Sequence, residues 1–344
     1  MTPFIIPFFL LHQGCPHRCL YCNQHRSGGR RAETLTAASV AQGLEAGLSS
    51  PRRRSGVRVE AAFYGGTFTA LPRDRQAELL EAVIPFLKHD LIQGIRLSTR
   101  PDALPVNEIE FLKSKGVTII EIGAQSMDDQ VLKLSRRGHT ASDTRKAARR
   151  VKAAGLGLGL QLLPGLPGED TVSLESTVHE VIDLFPDESR LYPALVIKGT
   201  PLADLYLNGA YQPLTLNQTV EICAMMYKRL TRAGIIVTRI GLQTSSDLEQ
   251  AVLAGPYHPA LGDLVKAEVF YQAIVRALRA KPPLNGEASV TVSWRDLSQA
   301  RGHARSNLAR LSAEFRHLTP SIIPDPDQPR GQFQWQGETY SIFK

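Results

Sequence analysis

The stretch LKSKGVTIIEIG, residues 112–123, shows the pattern that decides the fold. A helix-like segment ends at Gly116, and an apolar, β-branched run follows at once. The same order returns in VKAAGLGLGLQLLPG, residues 151–165, and in LTRAGIIVTRIG, residues 230–241. Glycine just past a helix end adopts the left-handed conformation that terminates the helix. Repeated units of this kind predict a parallel sheet with helices outside it.

The same reasoning places the other elements along the chain. Strands are predicted near residues 4–11, 58–64, 94–99, 117–123, 157–163 and 190–197, with a weaker strand near 235–240. Helices are predicted near residues 36–48, 73–89, 106–115, 141–154, 170–184 and 216–233. About six βα units in roughly 240 residues predict an α/β fold, a partial (β/α)6 barrel of the TIM type. In such barrels the chemistry lies at the C-terminal ends of the strands.

Towards the C-terminus the pattern changes. A short strand, an arginine-rich helix from Asp296 to His317 and a hairpin around Gly337 are predicted there. The expected domains are the barrel at residues 1–240 and a small C-terminal α+β domain at 241–344, with 275 as the alternative boundary.

The composition is that of a globular protein. Of 344 residues, 43% are hydrophobic and 21% charged, which excludes fibrous and disordered classes. The net charge of +7 permits binding to polyanions such as RNA. The apolar run from Phe4 to Leu11 is too short to span a bilayer and lacks a basic start, so we expect a buried strand and a cytoplasmic protein.

Three of the four cysteines lie close together. Cys15, Cys19 and Cys22 fall in GCPHRCLYCNQ, directly after the first predicted strand. A disulfide framework needs cysteines that are spread and paired, so this group predicts metal ligation in a reducing compartment. Three soft thiolates on one loop can each hold one iron of a 4Fe–4S cluster and leave the fourth iron without a protein ligand. Cys223 lies on an apolar helix face and is predicted to be buried.

A zinc site is the alternative that these residues leave open. His12, His17 and His25 lie beside the cysteines, and any one of them would complete a tetrahedral set. Zinc sites usually combine two cysteine pairs, or a cysteine pair with a histidine pair, and this segment has neither. With zinc, the chain would be an RNA-binding protein without catalysis.

The cysteine loop, with Tyr21 before its third cysteine, resembles the radical S-adenosylmethionine (SAM) superfamily. Further segments resemble the motifs of that superfamily, and those after residue 120 resemble its Elongator catalytic-subunit branch and coproporphyrinogen-oxidase-like relatives. They are FYGGTFTALP (63–72), STRPDAL (98–104), EIGAQSMDDQVL (121–132), RRGHT (136–140), LLPGLPGED (162–170) and LYPALVIKGTPL (191–202). The resemblance covers roughly residues 1–275.

The resemblance implies a 4Fe–4S cluster and SAM as cofactors. SAM would chelate the open iron, and the reduced cluster would cleave it to methionine and a 5′-deoxyadenosyl radical. The implied metal ligands are Cys15, Cys19 and Cys22. The implied cofactor-binding residues are Tyr21, Gly65, Gly66, Thr67, Thr99, Arg100, Gln125, Ser126, Gln161 and Leu163.

Several of these residues have a second interpretation. Arg100 follows a strand and is expected to clamp the SAM carboxylate, or else to pair with Asp102. Relatives often carry an acidic residue where this chain has Ser98, so Thr99 is the substitute expected near the ribose. Gln125 and Ser126 follow a strand and are expected to hydrogen-bond the nucleoside or the substrate. Alternatively, they cap the turn that follows.

Three residues are predicted to contact the substrate. Arg137 and His139 precede a helix that Thr140 and Asp143 are predicted to cap, at the barrel mouth where cations can bind phosphate. Lys198 ends the sixth strand and either binds a substrate anion or is an ordinary surface lysine.

We therefore expect a radical SAM enzyme that acts on RNA, since the Elongator catalytic subunit modifies the wobble uridine of tRNA. An arginine-rich C-terminal segment agrees with RNA binding. The acetyltransferase domain of that family is not expected here. The alternative substrate is a small anionic metabolite such as a porphyrinogen. Expected partners are tRNA and an external electron donor of the flavodoxin or ferredoxin type, with no membrane and no DNA.

Overall fold

A computed structural model describes the chain in five stretches, residues 3–10, 14–23, 34–53, 56–283 and 286–344. The chain forms two compact units. The first comprises residues 1–213 and 243–255, and the second comprises residues 214–242 and 256–344. The domain boundary near 240 or 275 stays a prediction. None of the helices in these stretches is long and apolar enough to cross a membrane.

The first unit is built on a parallel sheet. Its strands are β1 (Phe4–Phe9), β2 (Val59–Tyr64), β3 (Gly94–Thr99), β4 (Val117–Gln125), β5 (Gly157–Leu162) and β6 (Glu188–Leu191). They are hydrogen-bonded in sequence order, and each is parallel to the next. The sheet curls into a half-barrel, which confirms the predicted partial TIM-type fold. Parallel strands bring their carboxyl ends to one rim, where the loops that carry the motifs begin.

Helices alternate with these strands. They are α1 (Ala37–Leu48), α2 (Arg73–Glu81), α3 (Ile84–Lys88), α4 (Val106–Ser114), α5 (Asp129–Leu134), α6 (Ala141–Ala153), α7 (Thr171–Leu184) and α8 (Pro201–Leu207). The predicted helix 73–89 is wrong as one element, since Pro85 lies in the first turn of α3 and has no N–H to continue α2. The predicted cap of α6 is confirmed: the Thr140 side chain accepts from the Asp143 backbone, and the Asp143 side chain accepts from Thr140.

The predicted strand 190–197 is two pieces. Beyond β6, the chain passes Pro193 and forms β7 (Val196–Ile197), which pairs antiparallel with β9 (Val252–Ala254). Proline has no N–H to donate to a ladder, so one continuous strand is disfavoured there. A short helix, α10 (Ser246–Ala251), leads into β9.

The second unit is a helix and sheet assembly. Its elements are α9 (Leu216–Arg232), β8 (Ile236–Ile240), α11 (Leu261–Ala280), β10 (Glu287–Ser293), α12 (Leu297–Arg301), α13 (Ser306–Glu314), β11 (Thr319–Asp325), β12 (Gln332–Trp335) and β13 (Glu338–Ser341). Its four-stranded sheet has the order β11-β10-β12-β13. Phe270, Ile274 and Phe333 are fully buried in its core.

The hairpin of β12 and β13 confirms the prediction around Gly337. The single helix predicted from Asp296 to His317 is wrong. Gly302, Ala304 and Arg305 all have positive φ, which breaks the helix between α12 and α13.

Candidate functional site

The cysteine loop, residues 14–23, follows β1 at the carboxyl rim of the half-barrel. Gly14 has φ +76°, and a Cβ atom there would lie 2.2 Å from the Thr67 carbonyl oxygen, so only glycine allows this approach. The Leu20 amide donates to the Ser135 carbonyl at 3.1 Å, and the Leu20 carbonyl accepts from the Leu202 amide at 2.9 Å. The loop is therefore attached to the segments that follow β2, β4 and β7.

The thiols lie against these same segments. Cys15 Sγ is 3.3 Å from Thr67 Oγ1, and the buried Cys19 Sγ accepts a hydrogen bond from Arg137 Nη1 at 3.3 Å. Burial raises the pKa of Cys22 to about 11, and the nearby Cys19 and Cys15 add to the effect. All four cysteines are free thiols. The three predicted ligands therefore lie close enough to influence one another's ionisation.

The described stretches contain no group of three or more His, Cys, Asp or Glu side chains arranged to hold a metal ion. Of the histidines considered for zinc, His12 and His25 lie outside the described residues. His17 Nε2 is 3.8 Å from Asp102 Oδ2.

Tyr21 packs against a buried apolar cluster. It packs with Leu163, together with Val131, Leu166 and Ala194. Its hydroxyl is buried beside the Cys19 thiol and makes no hydrogen bond of normal geometry with a described residue. Burial raises the pKa of Tyr21, and the cation of Arg137 partly offsets this. The structure thus brings together two residues, Tyr21 and Leu163, that were predicted to bind cofactor.

The predicted glycine and threonine residues lie after β2 and β3. Gly65 has φ +87° in the bend that follows β2, and Gly66 is half-buried. Thr67 and Thr99 are buried, and the Thr99 hydroxyl is hydrogen-bonded to that of Thr69 at 2.5 Å. The Thr67 hydroxyl therefore contacts the Cys15 thiol, and the Thr99 hydroxyl contacts Thr69.

Arg100 is buried and already engaged. Its Nε and Nη2 donate to the two carboxylate oxygens of Asp102 at 2.9 and 3.0 Å, and Nη2 also donates to the Arg137 carbonyl at 2.6 Å. This pairing with Asp102 is the second interpretation of Arg100, with the guanidinium buried and the carboxylate partly exposed to solvent. A contact of Arg100 with a SAM carboxylate stays a prediction.

Gln125 ends β4 in a left-handed conformation, with φ +68°, beside an irregularity in the pairing with β5. Its carbonyl accepts from the Leu163 amide at 2.9 Å, and its side-chain oxygen faces Gln161 Nε2 at 3.4 Å. Ser126 is fully buried, where its hydroxyl accepts from the Asp128 amide at 3.2 Å and faces Thr177. Ser126 therefore caps the turn, while the two glutamine side chains lie together.

Of the three residues predicted to contact substrate, two are buried. Arg137 Nη2 donates to the Gly123 carbonyl at 2.7 Å, and its Nε has no partner among the described residues. Neither ring nitrogen of His139 makes a hydrogen bond of normal geometry with a described residue. Burial, and then the cations of Arg137 and Arg100, lower the pKa of His139 to about 3, so the ring is neutral. Lys198 is exposed, and its backbone carbonyl accepts from Asn23 of the cysteine loop.

A buried charge network among strands β2, β3, β4 and β6 was not predicted. Arg96 donates to Glu60 at 2.7 Å, to Glu121 at 3.0 Å and to Glu188 at 2.6 Å, and Arg190 donates to Glu121 at 2.9 Å. Burial raises the pKa of Glu121, and Arg190 offsets part of this. The signal in the sequence is a charged residue inside each of several predicted buried strands, because such residues are rarely buried unless paired.

Two models of known protein families together match most of the chain. The family model for the Radical SAM superfamily matches residues 9–181, and the model for the Radical SAM C-terminal domain matches residues 186–270.

Curated relatives match between about half and two thirds of the chain. A tRNA uridine(34) acetyltransferase of Methanocaldococcus infernus is 30% identical over 186 residues, 48% of this chain and 35% of that protein. Elongator complex protein 3 of Mus musculus is 30% identical over 190 residues, 48% of this chain and 34% of that protein. An uncharacterized protein of Methanocaldococcus jannaschii is 26% identical over 229 residues, 63% of this chain and 69% of that protein. The chain thus spans about a third of the length of the first two.

Among solved structures, the archaeal Elp3 of Methanocaldococcus infernus, lacking its N-terminus, aligns with a TM-score of 0.59 at 23% identity. The alignment covers 71% of this chain and 59% of that one. The two proteins share a fold.

Proposed function

The chain belongs to the radical SAM superfamily of enzymes, and we propose that Cys15, Cys19 and Cys22 hold a 4Fe–4S cluster whose open iron binds SAM. The observation that carries the proposal is the position of the cysteine loop. Cys15 contacts Thr67 after β2, and Cys19 contacts Arg137 in the segment between β4 and α6. The free thiols therefore lie where a (β/α) barrel carries its chemistry.

The residues present suit such a cluster. Three thiols are soft donors of the kind that iron–sulfur clusters require. Two buried polar atoms beside the loop, Tyr21 Oη and Arg137 Nε, make no hydrogen bond of normal geometry with a described residue, and among those residues the only group that interacts with Tyr21 Oη as a hydrogen-bond partner is the Cys19 thiol. Buried polar atoms normally have a partner. A bound group that carries acceptors at this position would satisfy them.

When bound and reduced, the cluster supplies one electron for the cleavage of SAM to methionine and a 5′-deoxyadenosyl radical. The chain holds and shields these reactants. Tyr21, Leu163 and Leu166 form an apolar wall that keeps water away from one side of the loop. The backbone at Gly65–Gly66 is free of side chains for the SAM amino group, and the amides of Gln125 and Gln161 offer donors and acceptors to the nucleoside.

The test compares two cysteine variants. Wild type, Cys19→Ala and Cys223→Ala are purified without oxygen, reconstituted with iron and sulfide, and given dithionite and SAM. Cys223 is fully buried in the second unit, so its variant controls for loss of a thiol as such. We expect wild type and Cys223→Ala to bind iron and to form 5′-deoxyadenosine. Cys19→Ala should bind less iron and form less 5′-deoxyadenosine than wild type. Stoichiometric zinc with no nucleoside from wild type would overturn the proposal.

We further propose that the substrate is tRNA, that the electron comes from a flavodoxin or ferredoxin type of protein, and that the enzyme works in the cytoplasm. Two of the relatives are a tRNA uridine(34) acetyltransferase and Elongator complex protein 3. The net charge of +7 favours a polyanion. Lys198 is exposed and its backbone is bonded to the cysteine loop, so its ammonium group can meet a phosphate next to the site.

Salt dependence of tRNA binding tests this substrate. Affinity should fall steeply with salt, and Lys198→Met should reduce the slope of log K against log salt by roughly 0.7–0.9, the loss of one phosphate contact. Lys281→Met is the control, since Lys281 is already paired with Glu338 at 2.9 Å. Absent or salt-insensitive binding would count against RNA and direct the search to small anionic metabolites such as porphyrinogens.

A further inference from the structure

Arg137 contacts the buried cysteine of the loop from the barrel side. Its Nη1 donates to Cys19 Sγ at 3.3 Å and its Nη2 donates to the Gly123 carbonyl at 2.7 Å. Arg137 is 8% exposed and Cys19 is 5% exposed. A full positive charge therefore lies next to a thiol in a region from which water is largely excluded.

The position of this guanidinium is fixed by the protein itself. Arg100 Nη2 donates to the Arg137 carbonyl at 2.6 Å, and the turn on either side uses positive φ at Arg136 and Gly138. A Cβ atom at Gly123 would lie 2.8 Å from Arg137 Nη2, so the strand leaves room for the side chain by having glycine there. Such a preorganised contact implies a role for the charge at Cys19.

We propose that Arg137 sets the reduction potential of the cluster that Cys19 ligates, as a positioning residue that acts through the cysteine. The proposal rests on the proposed function above. Reduction adds one electron, and so one negative charge, and it moves no proton. A hydrogen bond to a ligand sulfur and a nearby cation both stabilise that added charge, and a low dielectric strengthens the effect. Arg137 therefore raises the potential and eases the reduction that SAM cleavage needs.

The experiment is a redox titration of the reconstituted protein in the absence of SAM, followed by EPR of the reduced cluster. Wild type, Arg137→Met, Arg137→Lys and Arg136→Met are compared at equal iron and sulfide content. Arg136 is the adjacent arginine, and it is exposed, so its variant loses the same charge without touching Cys19. We expect Arg137→Met to make one-electron reduction at least tenfold less favourable, which corresponds to about 59 mV. Arg137→Lys should fall between it and wild type, and Arg136→Met should match wild type.

A potential in Arg137→Met equal to that of wild type, or a shift of equal size in Arg136→Met, would overturn the proposal. Failure of both Arg137 variants to bind a cluster that wild type binds would also overturn it, because Arg137 would then support the loop and not tune a potential. Failure of wild type itself to bind a cluster would instead refute the proposed function, so the two results are distinguishable.

Discussion

Replacing Arg96 by methionine tests how the charges inside the half-barrel stabilise the fold. Arg96 is 1% exposed and contacts Glu60, Glu121 and Glu188. Methionine keeps much of the length of the side chain and removes the cation. The expected result is a large loss of stability, because carboxylates would be left buried without their counter-charge.

The magnitude follows from the remaining partners. Arg190 still pairs with Glu121 at 2.9 Å and Arg58 with Glu60 at 2.9 Å, whereas Glu188 loses its contact with Arg96. Removing one partner of a buried ion pair costs about 3–5 kcal/mol. Because the other two carboxylates keep a cation, we expect a value within that range and not a multiple of it. The total free energy of unfolding of a native domain is about 5–15 kcal/mol. A loss of this size is therefore easily measured.

The pH dependence has a definite sign. Burial already raises the pKa of Glu121, and loss of Arg96 removes one of the cations that lower it. A folded state whose carboxyl pKa lies above the unfolded value binds protons that the unfolded chain has released, so its stability rises as the pH falls through that window. The penalty of Arg96→Met should therefore shrink as the pH is lowered towards the unfolded carboxyl pKa of about 4.3.

Urea unfolding followed by far-UV circular dichroism measures these free energies. Arg145→Met is the matched control, since Arg145 pairs with Glu180 at the surface with 37% of its side chain exposed, and exposed pairs contribute about 0–1 kcal/mol. The double variant Arg96→Met with Glu188→Gln should recover part of the loss, because it removes the carboxylate left unpaired. A cost no larger than that of Arg145→Met, or no recovery in the double variant, would refute the reasoning.

Two further predictions concern the rim. Gly14→Ala should abolish iron binding, because the new Cβ would lie 2.2 Å from the Thr67 carbonyl oxygen. The control, Gly209→Ala, has a similar φ and open space around the new Cβ, so it should bind iron as wild type does. Equal iron contents in the two variants would contradict this prediction. The pKa of His139 is lowered to about 3 by burial and by two arginines, while the unfolded value is about 6.5. The unfolded chain therefore binds the proton first, and stability falls as the pH drops through that window, by at most about 1.4 kcal/mol per pH unit. Denaturation of His139→Leu at several pH values should show a shallower loss, and an unchanged slope would reject this cause.

Local signals predicted the sheet of the half-barrel well. Strand β3 occupies Gly94–Thr99 as predicted, because an apolar, β-branched run after a helix is recognised within a short window. The errors lie where single residues interrupt a long pattern, at Pro85, at Pro193 and at the positive φ of Ala304. Helix α11, Leu261–Ala280, was not predicted. Its buried residues, which include Val265, Phe270 and Ile274, occur on most of its circumference, so it shows little amphipathic period.

In the candidate site, too, local features were predicted and contacts between distant residues were not. The cysteine spacing is a local signal, and it identified the loop. The contact of Cys19 with Arg137 joins residues 118 positions apart, so it depends on which strands are neighbours and not on any motif. Arg137 was accordingly predicted to meet substrate, while the geometry directs its guanidinium at a thiol. Ser126 shows the opposite case, since a polar residue after a strand also serves as a turn cap.

Charge is arranged differently at two levels of the half-barrel. Within the strands, Glu60, Glu121 and Glu188 are compensated by Arg96, Arg190 and Arg58. Arg100 lies four residues beyond Arg96, about 13 Å along an extended chain. At this upper level Arg100 and Arg137 are both buried, Asp102 is the carboxylate bonded to Arg100, and His139 is neutral.

Around the cysteine loop, the two buried cations of Arg100 and Arg137 therefore face one bonded carboxylate, that of Asp102, until the cysteines ionise. Buried charges are stable when they are paired, and thiolate ligands together with a carboxylate-bearing cosubstrate would supply the missing negative charge. From this we expect substitutions at the two levels to differ in kind. Loss of Arg96 should lower stability whether or not iron is bound, whereas loss of Arg137 should be felt chiefly in the properties of the group that the cysteines hold.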